Sequence, residues 1–194
     1  MSAASLLKEL FGSPDIQLLR QNGETVSASA AISGKKYLLV YFSASWCPPC
    51  RGFTPQLATF HELFSAKHDF EVVFVSRDND EAAMNAYFYN PQFSSLSVEG
   101  GEGSHGNWLA VPFKEAKAIG DNLKEEYEIK TIPTVLLFDL STGNLVTQEA
   151  RHNIADNFRT AEGFPWRRSP FAWFTPRRII KICAAIVLLY YYWE

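Results

Sequence analysis

The feature that most constrains this chain is the run Trp-Cys-Pro-Pro-Cys at residues 46–50, in which two cysteines are separated by two residues. The preceding run, residues 37–43, is apolar and rich in aromatic and branched side chains, which predicts a buried strand. After the second cysteine, apolar side chains recur at helical spacing, at Phe53, Leu57, Phe60 and Phe64. The cysteines therefore lie where a strand leads into a helix, a position at which a disulfide can form and break within one turn.

This position assigns different roles to the two cysteines. The first-turn N–H groups and the positive end of the helix dipole face Cys47, so they favour its thiolate and lower its pKa below that of a free thiol. Because only the thiolate attacks disulfides, we assign Cys47 as the nucleophile. Cys50 lies one turn inside the helix and suits the second step, attack on a mixed disulfide. Pro48 and Pro49 stiffen the turn without costing a helix hydrogen bond.

Two other interpretations of the cysteine pair are a zinc knuckle and a static structural disulfide. Zinc requires two further ligands at suitable spacing, and the remaining candidates are scattered without a paired pattern. These candidates are Cys183, His61, His68, His105 and His152. The sequence therefore favours redox chemistry, and we expect no metal site.

The distribution of charge is more informative than its total. The net charge of the 194-residue chain is −3, but residues 1–165 carry −7 and residues 166–194 carry +4. An acidic globule with a basic, apolar tail does not resemble a nucleic-acid-binding protein. Only three cysteines are present, and residues 1–10 lack the pattern of a secretory signal, so we expect a reducing compartment.

Hydrophobic periodicity gives the order of elements. Helices are predicted at 3–11, 80–89 and 114–127, and strands at 16–19, 25–27, 70–76, 134–140 and 145–147. Residues 91–107, which contain four glycines, are predicted to form an exposed loop, either an insertion without function or a partner contact. The unit formed by residues 37–76 is a βαβ motif, which implies a parallel strand pair.

The dipeptide Ile132-Pro133 immediately precedes a predicted buried strand. Proline removes a donor from the sheet ladder and therefore occupies special backbone positions in sheets. A trans peptide at the start of the strand is the ordinary alternative. We infer a cis bond, and the resemblance described next supports that inference.

Together these features resemble the thioredoxin superfamily and, within it, the tryparedoxins, the kinetoplastid branch near nucleoredoxin. The resemblance rests on the cysteine motif, on the proline five residues after Cys50, on Ile132-Pro133-Thr134, and on longer stretches of sequence. These stretches are 41–57, 70–74, 108–113, 143–151 and 164–166. The resemblance implies an α/β thioredoxin-like fold over residues 1–166, with a central mixed β-sheet flanked by helices and Pro133 in cis.

The resemblance also implies a function. Tryparedoxins are thiol–disulfide oxidoreductases that carry electrons from the dithiol trypanothione to peroxiredoxin-type peroxidases and other disulfide proteins, without a bound cofactor. Cys47 and Cys50 match the attacking and resolving thiols of the redox-active disulfide. Residues that match or border the substrate surface are Trp46, Pro48, Pro49, Arg77, Ile132, Pro133 and Arg151. The alternative is a membrane-tethered client-binding or scaffold protein of the same fold, with redox activity secondary.

Two positions bear on the proton and on the substrate. Tyr41 stands where ordinary thioredoxins have a buried aspartate, a replacement that tryparedoxins share. Residues 77–79 read Arg-Asp-Asn where tryparedoxins typically have Trp-Asp-Glu. A cation at Arg77 is expected to weaken a cationic substrate such as the polyamine portion of trypanothione.

The tail separates into a basic and aromatic linker, residues 167–178, and an almost wholly apolar segment, residues 179–193. We expect the apolar segment to be a helical transmembrane tail anchor, with an interfacial helix as the rival interpretation. Fifteen residues reach about 22 Å as a helix, which is short for a bilayer core of about 30 Å. The basic flank favours the cytosolic face of a membrane, the mitochondrial outer membrane or alternatively the endoplasmic reticulum. Cys183 would then be buried in lipid and inert.

Overall fold

The computed structural model describes residues 2–89 and 105–167. Within them the helices and strands alternate along most of the chain. In order they are α1 (Ala3–Phe11), β1 (Gln17–Leu19), β2 (Thr25–Ser27), α2 (Ala28–Ala31), β3 (Tyr37–Ser43), α3 (Pro48–His68), β4 (Phe70–Ser76), α4 (Glu81–Phe88), β5 (Leu109–Ala110), α5 (Phe113–Glu126), β6 (Thr134–Asp139), β7 (Asn144–Thr147) and α6 (Ala150–Asn157).

One mixed sheet contains the seven described strands in the order β2-β1-β5-β4-β3-β6-β7. Strand β3 lies near its centre, parallel to β4 along its whole length and antiparallel to β6. The predicted βαβ unit and C-terminal hairpin are therefore confirmed, as is the N-terminal hairpin of β1 and β2. That hairpin joins the same sheet because Leu19 pairs with Ala110 of β5.

Successive side chains of β3 point to opposite faces of the sheet, and a separate layer of the core covers each face. Leu38, Val40 and Phe42 face a layer that contains the apolar sides of α1 and α5. Leu39 and Tyr41 face the opposite layer, formed largely by α3, α4 and α6. Because successive strand residues point to opposite faces, a strand buried on both sides is apolar throughout. Accordingly, all six residues from 38 to 43 are buried.

Local capping explains where several helices begin. The Ser2 hydroxyl accepts a hydrogen bond from the Ser5 amide at 3.2 Å at the start of α1, and Gly12 ends that helix with φ of 79°. The Asp80 carboxylate accepts from the Ala83 amide at 2.8 Å and begins α4. The sequence patterns therefore predicted these helices, whereas the short elements α2 and β5 and the C-terminal helix α6 were not anticipated.

Two predicted segments lie wholly or largely outside the described residues. Most of the 91–107 loop and the whole apolar segment 179–193 belong to these parts of the chain. Among residues 2–89 and 105–167, no helix combines the length and the hydropathy needed to cross a membrane. The tail anchor and the terminal apolar helix therefore stay predictions.

Candidate active site

Cys47 and Cys50 are joined by a disulfide across the first turn of α3, with their Cα atoms 5.2 Å apart. Cys47 is the N-cap residue, and its Sγ accepts a hydrogen bond from the Cys50 amide at 3.3 Å. Pro48 and Pro49 occupy the first helical positions, where no backbone donor is needed. The exposed fraction is 4% for Cys47 and zero for Cys50. Cys47 is therefore the more accessible cysteine of the pair.

A second loop lies against the disulfide. The peptide bond between Ile132 and Pro133 is cis, as inferred from the sequence. The carbonyl oxygen of Ile132 lies 3.8 Å from Cys47 Sγ, and the Ile132 side chain packs on the cluster formed by the two cysteines and Ala44. Pro133 itself is buried, so Ile132 and Thr131 provide more of the accessible surface beside the sulfur.

Two depressions flank this loop and share residues 129–132. The Trp46 depression, of about 240 Å³, is lined by Phe42, Trp46, Arg77, Gly120, Lys124 and residues 129–132. The Pro133 depression, of about 530 Å³, is lined by Pro49, residues 128–134, Gln148, Glu149, Arg151 and His152. The two depressions share residues 129–132, and Ile132 lies next to Cys47 Sγ, so open space lies on both sides of the loop.

Trp46 is exposed at 56%, and its indole N–H donates a hydrogen bond to the Arg77 carbonyl oxygen at 3.2 Å. The Arg77 guanidinium extends over α5, where it forms an ion pair with Asp121 at 2.6 Å. This hydrogen-bonded pairing lowers the pKa of Asp121. A side chain at position 120 would collide with the guanidinium, since a Cβ built there lies 2.4 Å from Arg77 Nη1. Gly120 therefore lets Arg77 lie close to the helix.

A cluster of buried hydroxyl groups lies beneath the disulfide. The Thr54 hydroxyl donates to the carbonyl oxygen of Cys50 at 2.8 Å, and it lies 2.7 Å from the Tyr41 hydroxyl and 2.6 Å from that of Tyr87. Ser43 lies 3.0 Å from both tyrosine hydroxyls. Burial raises the pKa of Tyr41 well above its ordinary value of 10. Tyr41 is therefore a neutral hydrogen-bonding group and not a base under the active site.

Asp78 holds the loop that leads into Cys47. Its Oδ1 accepts hydrogen bonds from the Ser45 amide at 2.8 Å and from the Ser45 hydroxyl at 2.7 Å. Its Oδ2 accepts from the Ser76 hydroxyl at 2.8 Å. These bonds connect the end of β4 to the residue next to Trp46. The sequence analysis missed this role and the hydroxyl cluster. Thr54 lies four residues after Cys50, and this helical spacing could have suggested its contact with the Cys50 carbonyl.

The structure brings all the sequence-predicted site residues to one end of the sheet. Trp46 and Arg77 line the Trp46 depression, Pro49, Pro133 and Arg151 line the other, and Ile132 belongs to both. Pro48 is exposed in the first turn of α3. Whether these residues contact a substrate stays a prediction. In the described part of the chain, no group of three or more His, Cys, Asp or Glu side chains is arranged to hold a metal ion.

Comparisons with known proteins agree with this geometry. A family model described as "Thioredoxin-like" matches residues 34–145. Tryparedoxin of Trypanosoma brucei brucei is 34% identical over 163 residues, which cover 84% of this chain and 98% of the relative. The chain belongs to the thioredoxin-like family. Human nucleoredoxin is 33% identical over 84% of this chain, but the match spans only 32% of that longer protein.

Solved tryparedoxins have the same fold as this thioredoxin-like chain. The crystal structure of native tryparedoxin I from Crithidia fasciculata superposes with a TM-score of 0.69 at 34% identity, covering 84% of this chain and 99% of that one. Tryparedoxin II complexed with glutathionylspermidine superposes equally well, with 31% identity and coverage of 84% and 99%. The chain is therefore a thioredoxin-like oxidoreductase related to tryparedoxin, and its Cys47–Cys50 pair fits the active site of that class.

Proposed function

We propose that this chain is a tryparedoxin-like protein-disulfide reductase that passes electrons from a small thiol or dithiol to peroxiredoxin-type peroxidases and other disulfide proteins. The observation that carries the proposal is the Cys47–Cys50 disulfide at a helix N-terminus, in contact with the cis-proline loop. The relatives support the substrate class, since one solved tryparedoxin is complexed with glutathionylspermidine. Trypanothione or a similar dithiol is therefore the proposed electron donor.

The reaction cycle uses the two sulfurs in sequence. The Cys47 thiolate attacks a client disulfide, forms a mixed disulfide, and releases one client thiolate. The Cys50 thiolate then attacks Cys47 Sγ, which breaks the mixed disulfide, releases the second client thiolate, and closes the Cys47–Cys50 disulfide. Two electrons pass to the client, whose thiolates take up protons from solvent. The donor dithiol reverses these steps and leaves as its own disulfide.

The geometry supports Cys47 as the attacking residue. Of the two cysteines, Cys47 is the residue with an exposed fraction above zero, and its Sγ accepts the Cys50 amide hydrogen bond. A hydrogen bond from a backbone amide and the helix dipole both stabilise negative charge on this sulfur. Cys50 is fully buried but lies one helical turn away, within reach of the mixed disulfide.

Serine substitutions test the assignment. Cys47→Ser should abolish reduction of insulin disulfides, whereas Cys50→Ser should accumulate mixed disulfides on Cys47 that mass spectrometry identifies. Cys183→Ser is the matched control and should retain wild-type turnover. Client adducts on Cys50 in the Cys47→Ser variant would reverse the two roles. Failure of the wild type with trypanothione, glutathione and a thioredoxin reductase system alike would refute the proposed function.

The scaffold alternative is not favoured, because both cysteines are present and joined. A binding protein of this fold has no need for a paired, partly accessible disulfide at the helix N-terminus. The rate of insulin reduction is a simple measurement that distinguishes the reductase from the scaffold. A rate no higher than that of the donor alone would favour the scaffold.

We also propose that residues 179–193 attach the protein to the cytosolic face of a membrane, either the mitochondrial outer membrane or the endoplasmic reticulum. The described chain ends at Arg167, whose guanidinium pairs with Asp139 and lies 3.5 Å from the Tyr37 hydroxyl. Tyr37 begins β3, and that strand runs about 20 Å before it reaches the active-site loop. The last described residue therefore lies near the end of β3 opposite the disulfide, and residues 168–178, between it and the proposed anchor, lie outside the described residues. Release of the full chain by carbonate extraction would contradict the spanning anchor.

A further inference from the structure

The Trp46 depression has an unbalanced charge. Its charged lining residues are Arg77, Lys124 and Lys130, and its lining includes no carboxylate from the described part of the chain. It adjoins Ile132, whose carbonyl oxygen contacts the reactive sulfur. A group bound there would therefore be held beside Cys47 and surrounded by positive charge.

Neighbouring carboxylates offset this charge only in part. Asp121 pairs with Arg77 from outside the depression, at 2.6 Å, and its side chain is 52% exposed. Among the described residues, neither Lys124 nor Lys130 forms an ion pair, and both are exposed. Asp121 also interacts electrostatically with Lys124, but no carboxylate in this part of the chain lies within ion-pair distance of either lysine.

The Pro133 depression provides an internal comparison. It contains the carboxylates Glu128 and Glu149 together with the cations Lys130 and Arg151, so its fixed charges balance. The two depressions lie on either side of residues 129–132, and only the one beside Trp46 is strongly cationic. The two sides of the loop therefore differ in charge, and the two ends of a bound disulfide would lie in different electrostatic environments.

We propose that the Trp46 depression binds the carboxylate end of a small thiol or disulfide substrate, so that carboxylate-bearing disulfides react faster than neutral or amine-bearing ones. The inference rests on the proposed function and names its preferred small-molecule class. A volume of about 240 Å³ is smaller than a typical drug-sized site and suits a group the size of one amino acid. The indole of Trp46 would cover the apolar part of that group.

The chemical step is the one already described. The carboxylate is held by the lysines while the Cys47 thiolate attacks the adjacent sulfur of the bound disulfide. One substrate thiolate leaves and Cys50 completes the exchange, so two electrons pass from the protein dithiol to the substrate. Since the lysines act through charge, the preference must weaken with ionic strength.

Three small disulfides of similar size test the preference. They are 3,3′-dithiodipropionate, which is anionic, bis(2-hydroxyethyl) disulfide, which is neutral, and cystamine, which is cationic. The full chain, reduced and kept in one non-ionic detergent, is mixed with each, and loss of protein thiols gives a second-order rate constant. Each rate constant is divided by that of dithiothreitol, an uncharged dithiol, with the same disulfide, which removes differences in intrinsic reactivity.

At low salt we expect normalised rates to fall in the order anionic, neutral, cationic, with a spread of about tenfold from charges of this number at a solvated surface. The spread should collapse in about 1 M salt, where screening acts within a few ångströms. The Lys124→Gln/Lys130→Gln double variant should lower the ratio of anionic to neutral rates by about threefold or more. Lys114→Gln, on the same helix but outside the depression, is the control and should leave this ratio unchanged.

Two outcomes separate this inference from the proposed function. Equal normalised rates for the three disulfides, or an unchanged ratio in the double lysine variant, would overturn the anion preference while leaving the reductase activity intact. Absence of any reduction of the neutral disulfide by the reduced protein would instead refute the proposed function.

Discussion

We expect the side chain of His105 to make the stability of this domain sensitive to acid. It is fully buried, and within residues 2–89 and 105–167 neither ring nitrogen has a hydrogen-bond partner. Its ring centroid lies 4.3 Å from that of Tyr87 and 4.6 Å from that of Phe74. Because this aromatic pocket disfavours the charged form, burial lowers the pKa of His105 from 6.5 to about 3.

The sign of the effect follows from proton linkage. Below pH 6.5 the unfolded chain protonates this histidine, whereas the folded domain keeps it neutral down to about pH 3. The unfolded state then binds more protons, so stability is fully present above pH 6.5 and falls as the pH drops through this window. At pH 5 the loss attributable to His105 is about 2 kcal/mol, from about 1.5 pH units at about 1.4 kcal/mol each.

Urea titrations at two pH values measure the contribution of His105 to the pH dependence of stability. The oxidised full chain and a His105→Phe variant, in the same non-ionic detergent, are unfolded at pH 7.5 and at pH 5.0. Subtracting the variant's pH dependence from that of the wild type removes contributions from other groups, among them His68, whose pKa burial also lowers. The difference should be about 2 kcal/mol.

Equal losses of stability in wild type and His105→Phe would refute the reasoning, since the titrating group would then lie elsewhere. His105→Leu is the second variant, because its smaller side chain avoids overpacking against the Tyr87 ring. It should show the same reduced pH dependence as His105→Phe, whatever its stability at pH 7.5.

Two further substitutions test the groups around the disulfide. Thr54→Val removes the hydroxyl that donates to Cys50 and contacts both tyrosines, so it should destabilise the domain by about 1–2 kcal/mol in urea unfolding. Thr54→Ser, which keeps the hydroxyl, should cost less, and an equal cost would contradict the hydrogen-bond explanation. Asp78→Ala should accelerate hydrogen exchange at the Ser45 amide, while the amide of Leu137 in the central sheet stays protected. Unchanged exchange at Ser45 would show that the loop is held by other contacts.

Much of the fold was predictable because its signals are local. The apolar run of β3, the helical spacing after Cys50 and the cap at Asp80 each specify an element from a few neighbouring residues. The elements that were missed are short or depend on distant partners. Strand β5 contains only two residues, and it is a strand because Leu109 pairs with Val73 and Ala110 with both Phe74 and Leu19. Such pairing leaves no periodicity in the sequence.

The reactive pair was predictable for a different reason. The spacing of Cys47 and Cys50 and the position of Pro133 are properties of the chain itself, and the resemblance connected them in space. The groups that surround the pair were not predictable in this way. Thr54 and Tyr87 come from separate helices, and their hydroxyl groups meet only after the sheet forms. Asp78 likewise reaches the Ser45 amide from a distant segment.

The structure changes the interpretation of Arg77, a residue that the sequence analysis had identified. As a single cation it was expected to repel a polyamine, and the structure pairs it with the partly exposed carboxylate of Asp121. The electrostatic character of the site depends more on Lys124 and Lys130, which lie beside Arg77 only because α5 and the loop before Pro133 approach it. Exchanging Arg77 alone should therefore shift substrate preference less than exchanging both lysines. The positive charge of the Trp46 depression comes from three segments of the chain, and no single position in the sequence predicts it.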